Sequence, residues 1–259
     1  MRRADSVCCP PCGGKGISRM NERREEEQKR QAMEKFSELY DVVKALRAED
    51  GCPWDRAQTH STLKPFLIEE AYETVDAVST LEKGEGTAAL VEELGDLLFQ
   101  VMLHSEIGRQ EETFTLADVE EGISRKMIHR HPHVFPDAEG RRQKKDWDAL
   151  KKEEKAPETP QEEMEHIPHC FPALLRTQKV QKKLQKYDGT GADFRTSVRR
   201  AVELLEHAGE ETGGSLSAEA GGELLYEVCN LLRLSGVNSE QSLKDTLEIK
   251  LAQRAREKS

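Results

Sequence analysis

The sequence predicts an all-α protein made of two four-helix-bundle units in tandem. Three observations carry that reading. Apolar residues recur at helical spacing in segments separated by short breaks that carry Gly or Pro. Charged residues make up 34% of the chain and aromatic residues only 5%, a balance that suits a soluble helical protein. The second half also echoes the first, segment by segment.

Each element has a local reason. Phe36, Leu39, Tyr40, Val43 and Leu46 recur every three or four residues, so 33–47 reads as a helix, with the charged run 22–30 as its solvated extension. Gly51-Cys52-Pro53-Trp54-Asp55 breaks it. A second helix is predicted from Ser61 or Thr62, either of them a suitable cap, to about Lys83. Pro65 falls in its first turn, where a missing N–H costs little. Ile68, Ala71, Tyr72, Val75 and Val78 form its expected core stripe. After the turn Gly84-Glu85-Gly86, a third helix is predicted over 88–108, with Leu90, Leu94, Leu97, Leu98, Val101 and Met102 inward. Gly95 within it calls for a close backbone approach. Thr115 is the predicted N-cap of a fourth helix, with Phe114 and Val119 as its staple. Four amphipathic helices with short connections imply a bundle. A charged stretch, 137–167, then reads as a linker with a short helix around Trp147. Helices over 172–186, 197–207, 224–234 and 243–256 complete the second unit.

The chemistry lies in two acidic segments. Glu69, Glu70 and Glu73 stand in the second helix, Glu93 and Asp96 in the third. Residues three apart share a helix face, so Glu70/Glu73 and Glu93/Asp96 each form a two-carboxylate claw. A single such Glu is ordinarily a solvated face. Two claws beside apolar stripes on consecutive helices, with no basic residue in either segment, repel each other until a divalent cation joins them. Oxygen donors without His or Cys select Mg2+ or Mn2+ over zinc, and Mg2+ completes its shell with waters and substrate phosphates. Lys126 and Arg130, four apart on the next helix, suit anionic oxygens, although alone they would be ordinary surface charge. Trp54 suits either stacking on a base or plugging the bundle end.

Composition sets bounds. A net charge of −10 argues against a general nucleic-acid binder, which needs a basic face. No apolar run reaches the roughly 20 residues of a membrane span, so the protein is expected to act in the cytoplasm. Cys8, Cys9 and Cys12 crowd the start while Cys52, Cys170 and Cys229 are scattered, which is not a disulfide framework. The isolated Cys9-Pro-Pro-Cys12 reads as part of a disordered, charged extension over 1–32.

Taken together, Gly51-Cys-Pro-Trp-Asp55, Gln58-Thr59, Glu69-Glu70-x-x-Glu73, Glu93-Leu-Gly-Asp96-Leu-Leu-Phe-Gln100 and Arg130-His-Pro-His-Val-Phe135 resemble the MazG nucleoside triphosphate pyrophosphohydrolases. Pro172-Ala-Leu-Leu-Arg-x-Gln-Lys-Val-Gln-Lys182 resembles the opening of a second MazG domain. The resemblance implies the all-α NTP pyrophosphatase fold, usually a homodimer, and Mg2+-dependent hydrolysis of a nucleoside triphosphate to the monophosphate and diphosphate. It places Mg2+ on Glu70, Glu73, Glu93 and Asp96, water activation on Glu69, and phosphate binding on Lys126 and Arg130. The expected division is a MazG domain over 33–136, a linker over 137–167 and a MazG-like domain over 168–259. In some two-domain relatives the second domain carries the activity. Here Glu227-Val-Cys-Asn230 reads as the match of Glu93-Leu-Gly-Asp96 and Val202 as that of Glu69, so an Asp and a Glu are lost and the first domain is the expected catalyst. A nucleotide-sensing module without turnover, or a purely structural helical dimer, are the rival readings.

Overall fold

The computed structural model describes residues 19–137, 139–142, 144, 147–154, 159–211 and 215–257. The expectation for the cysteine-bearing tail lies outside them. The chain divides into two compact units, Met1–Lys144 and Lys145–Ser259. Every regular element among the described residues is a helix.

The first unit holds α1 (Arg19–Leu46), α2 (Pro53–Ala57), α3 (Lys64–Glu82), α4 (Ala88–Gln110) and α5 (Leu116–Arg130). The break expected after α1 is there, but Pro53 at the N-terminus of a helical turn makes it a five-residue helix. Arg47, only 8% exposed, locks this turn to α4. Its guanidinium donates to the carbonyls of Asp55 and Gln58 and, from Nε and Nη2, to Oε1 of Gln110 at 3.0 and 2.8 Å. The predicted cap at Ser61 or Thr62 is displaced. Thr59 and Thr62 hydrogen-bond each other in a turn, and α3 starts at Lys64 with Pro65 in its first turn and no side-chain cap. Thr115 does cap α5, in a capping box with Asp118.

The core is Val43, Leu63, Met102, Leu103 and Ile107, flanked by Phe36, Leu39, Tyr40, Phe66, Phe99 and Leu116. It lies between α1 and the C-terminal half of α4. The stripe expected to be buried on α3 is not: Ile68, Tyr72, Val75 and Val78 are exposed, as are Leu94, Leu98 and Val101 on α4. Within the chain these two helices pack on each other and leave their outer apolar faces in solvent. Gly95 also departs from expectation, since a Cβ there would meet nothing within 4 Å. The close approach is at Gly108, where a Cβ would come within 2.8 Å of the Phe114 ring.

The second unit holds α6 (Trp147–Glu153), α7 (Pro160–Glu165), α8 (Ala173–Asp188), α9 (Phe194–Glu211), α10 (Ala218–Leu234) and α11 (Ser239–Glu257). Polar side chains pin its interior. Gln178 donates to the carbonyls of Cys229 and Val237, and Gln181 to that of Tyr226. Asn230, 2% exposed, donates to the Gly191 carbonyl at 3.1 Å and to Ser197 Oγ at 2.8 Å, and accepts from Arg233.

These contacts correct the reading of Asn230 as a lost metal ligand. Burial sets the register between the repeats. Leu97-Leu98-Phe99, partly buried, exposed, partly buried, matches Leu224-Leu225-Tyr226, and the fully buried Met102-Leu103 matches Cys229-Asn230. Asn230 thus stands where the first unit has core Leu103. Glu223 stands at Asp96 and Ala220 at Glu93. The sequence match was seven residues out of step, two helical turns, a slip that leaves a residue on nearly the same face.

Candidate metal centre

Helices α3 and α4 form a hairpin closed by Gly84, whose φ of 81° suits a residue without a Cβ. Glu70 and Asp96 are equally far in sequence from Lys83, and so are Glu73 and Glu93. Folding the hairpin about that point therefore sets Glu70 opposite Asp96 and Glu73 opposite Glu93. One carboxylate oxygen each from Glu70, Glu93 and Asp96 lies within 4.8 Å of the other two. Among the described residues this is the one such group of three His, Cys, Asp or Glu. Thr74 ties the helices together at this level. Its hydroxyl donates to the Glu70 carbonyl at 2.7 Å and lies 3.4 Å from that of Glu93.

The electrostatics follow from the pairing. The Glu70 carboxyl is pushed up from its ordinary value, first by burial, then by the charges of Asp96 and Glu73, with the Gln100 amide opposing. The Glu93 carboxyl is pushed up as well, by burial and then by Glu73 and Asp96. Glu73 lies outside this group of three and is more exposed than Glu70 and Glu93, but acts on both by charge. No ion pair to Lys or Arg is formed by these carboxylates among the described residues. Negative charge gathered without a cation fits a hard divalent ion.

Glu69 is exposed beside Glu70 and acts on it by charge. Lys126 and Arg130 ride on α5, the first exposed and the second half-buried, and neither is among the charges acting on Glu70 or Glu93. Trp54 is exposed, with its ring edge-on to Phe66 at 5.7 Å between centroids. Gln100 was legible as part of the acidic motif but carried no assigned role; it stands one turn beyond Asp96, on the same stripe of α4. A separate cavity of about 760 Å3 between α1, α4 and α5, lined by Met33, Phe36, Tyr40, Met102 and Leu116, includes none of the clustered carboxylates.

The hairpin and its acidic cluster lie inside a segment, 58–135, that matches the family model of the MazG nucleotide pyrophosphohydrolase domain. A Thermotoga maritima protein named nucleoside triphosphate pyrophosphohydrolase/pyrophosphatase MazG is 36% identical over 209 residues, covering 81% of this chain and 80% of the relative. The chain belongs to the MazG family. An Escherichia coli nucleoside triphosphate pyrophosphohydrolase is 33% identical over 234 residues, 87% of each chain. The Bacillus subtilis protein YabN, named as uncharacterized, is 42% identical over 150 residues, which is 57% of this chain and 30% of YabN. The match to the two MazG proteins runs through both units, and the structure is all-α throughout the described residues, as the family resemblance implied.

Proposed function

We propose that this chain is a Mg2+-dependent nucleoside triphosphate pyrophosphohydrolase whose metal centre is Glu70, Glu73, Glu93 and Asp96. The observation that carries this is the convergence of Glu70, Glu93 and Asp96 across the α3–α4 hairpin, inside the segment matched by the family model. When bound, Mg2+ (or Mn2+) would offset the charge of the phosphate oxygens. Glu69, exposed at the rim, orients a water and accepts its proton. The water oxygen bonds to the α-phosphorus, the bond from that phosphorus to the bridging oxygen breaks, and diphosphate leaves. Lys126 and Arg130 meet the phosphates, and Trp54 offers a face to the base. The role is removal of nucleoside triphosphates from the cytoplasmic pool.

The exposed apolar faces support a homodimer. Ile68, Tyr72, Val75, Val78 and Leu81 on α3, with Val91, Leu94, Leu98 and Val101 on α4, form more contiguous apolar surface than a lone helical unit ordinarily leaves in water. A second copy of the hairpin would cover it and complete a four-helix bundle. The first unit is the catalyst. In the second, Ala220 and Glu223 stand where Glu93 and Asp96 stand in the first, so half of that claw is missing. No helix among the described residues is long and apolar enough to cross a membrane.

Hydrolysis in 18O-labelled water tests the reaction itself. Attack at the α-phosphorus puts the label in the monophosphate. Label recovered in diphosphate or phosphate alone would refute it.

A further inference from the structure

Gln100 is the one buried amide on the acidic stripe of α4. Glu93, Asp96 and Gln100 follow one another at helical spacing, so Gln100 lies one turn deeper than the carboxylates. It is 5% exposed. Its side chain acts on the Glu70 carboxyl as a nearby donor does, drawing it down against burial and the charges of Asp96 and Glu73. A carboxylate only accepts, so the end of the amide that can serve Glu70 is its NH2 group. Its other end, Oε1, is buried and has no hydrogen-bond partner. A buried acceptor left without a donor is costly and calls for a partner such as a bound water or ion.

We infer that Gln100 is a positioning residue of the metal centre: its NH2 group holds the Glu70 carboxylate toward Glu93 and Asp96, and its Oε1 accepts a hydrogen bond from a water that enters with the cation. The inference rests on the metal reading above. The residue type suits the task. A Lys or Arg at this depth would orient Glu70 equally well but would neutralise it and compete with the cation. An apolar residue would leave Glu70 free to turn out to solvent. A neutral amide orients the ligand and keeps its full charge. Gln100 acts through Glu70 and through bound water, so it is not itself a catalytic residue.

The test uses the full chain stripped of metal and titrated with Mn2+ by calorimetry, for wild type, Gln100→Met and Gln100→Asn. Met keeps the length and volume and removes both polar atoms; Asn keeps the amide and withdraws it by one methylene. Gln100→Met is expected to unfold cooperatively with wild-type helix content and to bind Mn2+ about 10- to 100-fold more weakly, the usual effect of losing a group that orients a metal ligand. Its kcat is expected to fall at low Mn2+ and to recover at saturating Mn2+, whereas a smaller fraction of folded enzyme lowers kcat at every Mn2+ concentration. Wild-type Mn2+ affinity in folded Gln100→Met would overturn the inference. If that variant does not fold, Gln100→Asn decides in the same way: weakened Mn2+ binding supports the role and unchanged binding overturns it. A folded wild type that takes up no Mn2+ would remove the metal reading and this inference together, whereas unchanged variants beside a binding wild type remove only the inference.

Discussion

Glu70 on α3 and Asp96 on α4 present carboxylate oxygens within 4.8 Å of each other, on facing helices and with a Glu93 oxygen within the same distance of both. Like charges held at such a distance weaken the metal-free fold, and a cation reverses the effect. Glu70→Gln is therefore expected to raise the melting temperature of the metal-stripped protein slightly. Wild type should gain stability with Mg2+, about 2.7 kcal/mol at a concentration 100 times its Kd, and the variant should gain none. Differential scanning calorimetry with and without Mg2+ reads both effects.

The short helix α2 that carries Trp54 depends on Arg47. Replacing Arg47 by Met leaves the carbonyls of Asp55 and Gln58 and the Gln110 side chain without their donor. Losing these charge-assisted bonds, above all the one to the buried Asp55, should cost the fold about 2–3 kcal/mol. Urea unfolding of Arg47→Met measures the loss. A midpoint equal to wild type would mean the network is dispensable.

Asn230 distinguishes core from vestigial ligand. If it were a lost metal position, Asn230→Asp would restore binding in the second unit. The contacts of its Nδ2 with Gly191 and Ser197 predict otherwise. An aspartate there faces the Gly191 carbonyl without a proton to donate, so the variant should be about 1–3 kcal/mol less stable and should bind no additional Mn2+. Calorimetric stoichiometry and chemical denaturation together decide.

His60 and His104 supply a pH signature. Their Nδ1 atoms are 2.7 Å apart, so one ring must donate and the other accept. His60 stacks on Phe114, and its Nε2 lies 3.7 Å from Glu111. Burial, and then His60, hold the His104 imidazole below its ordinary value. The unfolded chain therefore takes up this proton first on acidification. The contribution to stability is whole above the ordinary imidazole value, about 6.5, and is lost as pH falls below it toward the depressed native value. Urea midpoints for wild type should drop across that window, and His104→Gln should flatten the drop.

Much of the fold was legible because helical periodicity survives in single segments. The α4 and α5 boundaries fell within a few residues of expectation, and Thr115 was readable as a cap from chemistry alone. That Glu70, Glu93 and Asp96 could gather was legible because three-residue spacing fixes a shared face, and only the hairpin pairing about Lys83 required the structure. The misreadings share a cause. An apolar stripe says which face avoids water but not what covers it, so Tyr72 and Val75 were placed in a core that lies instead around Met102 and Leu103. Periodicity is equally blind to a slip of seven residues, which is how Asn230 came to be matched with Asp96. Arg47 gave no signal, and Gln100 stood in the motif without a readable role, because each works through partners distant in sequence.

The most direct measurement is diphosphate release from a panel of ribo- and deoxyribonucleoside triphosphates, with and without Mg2+, for wild type and Glu70→Ala. Mg2+-dependent formation of monophosphate and diphosphate by wild type, abolished in folded Glu70→Ala, is the predicted result. Turnover that persists in Glu70→Ala, or a folded wild type that hydrolyses none of the panel, would contradict the assignment of this hairpin as the active centre.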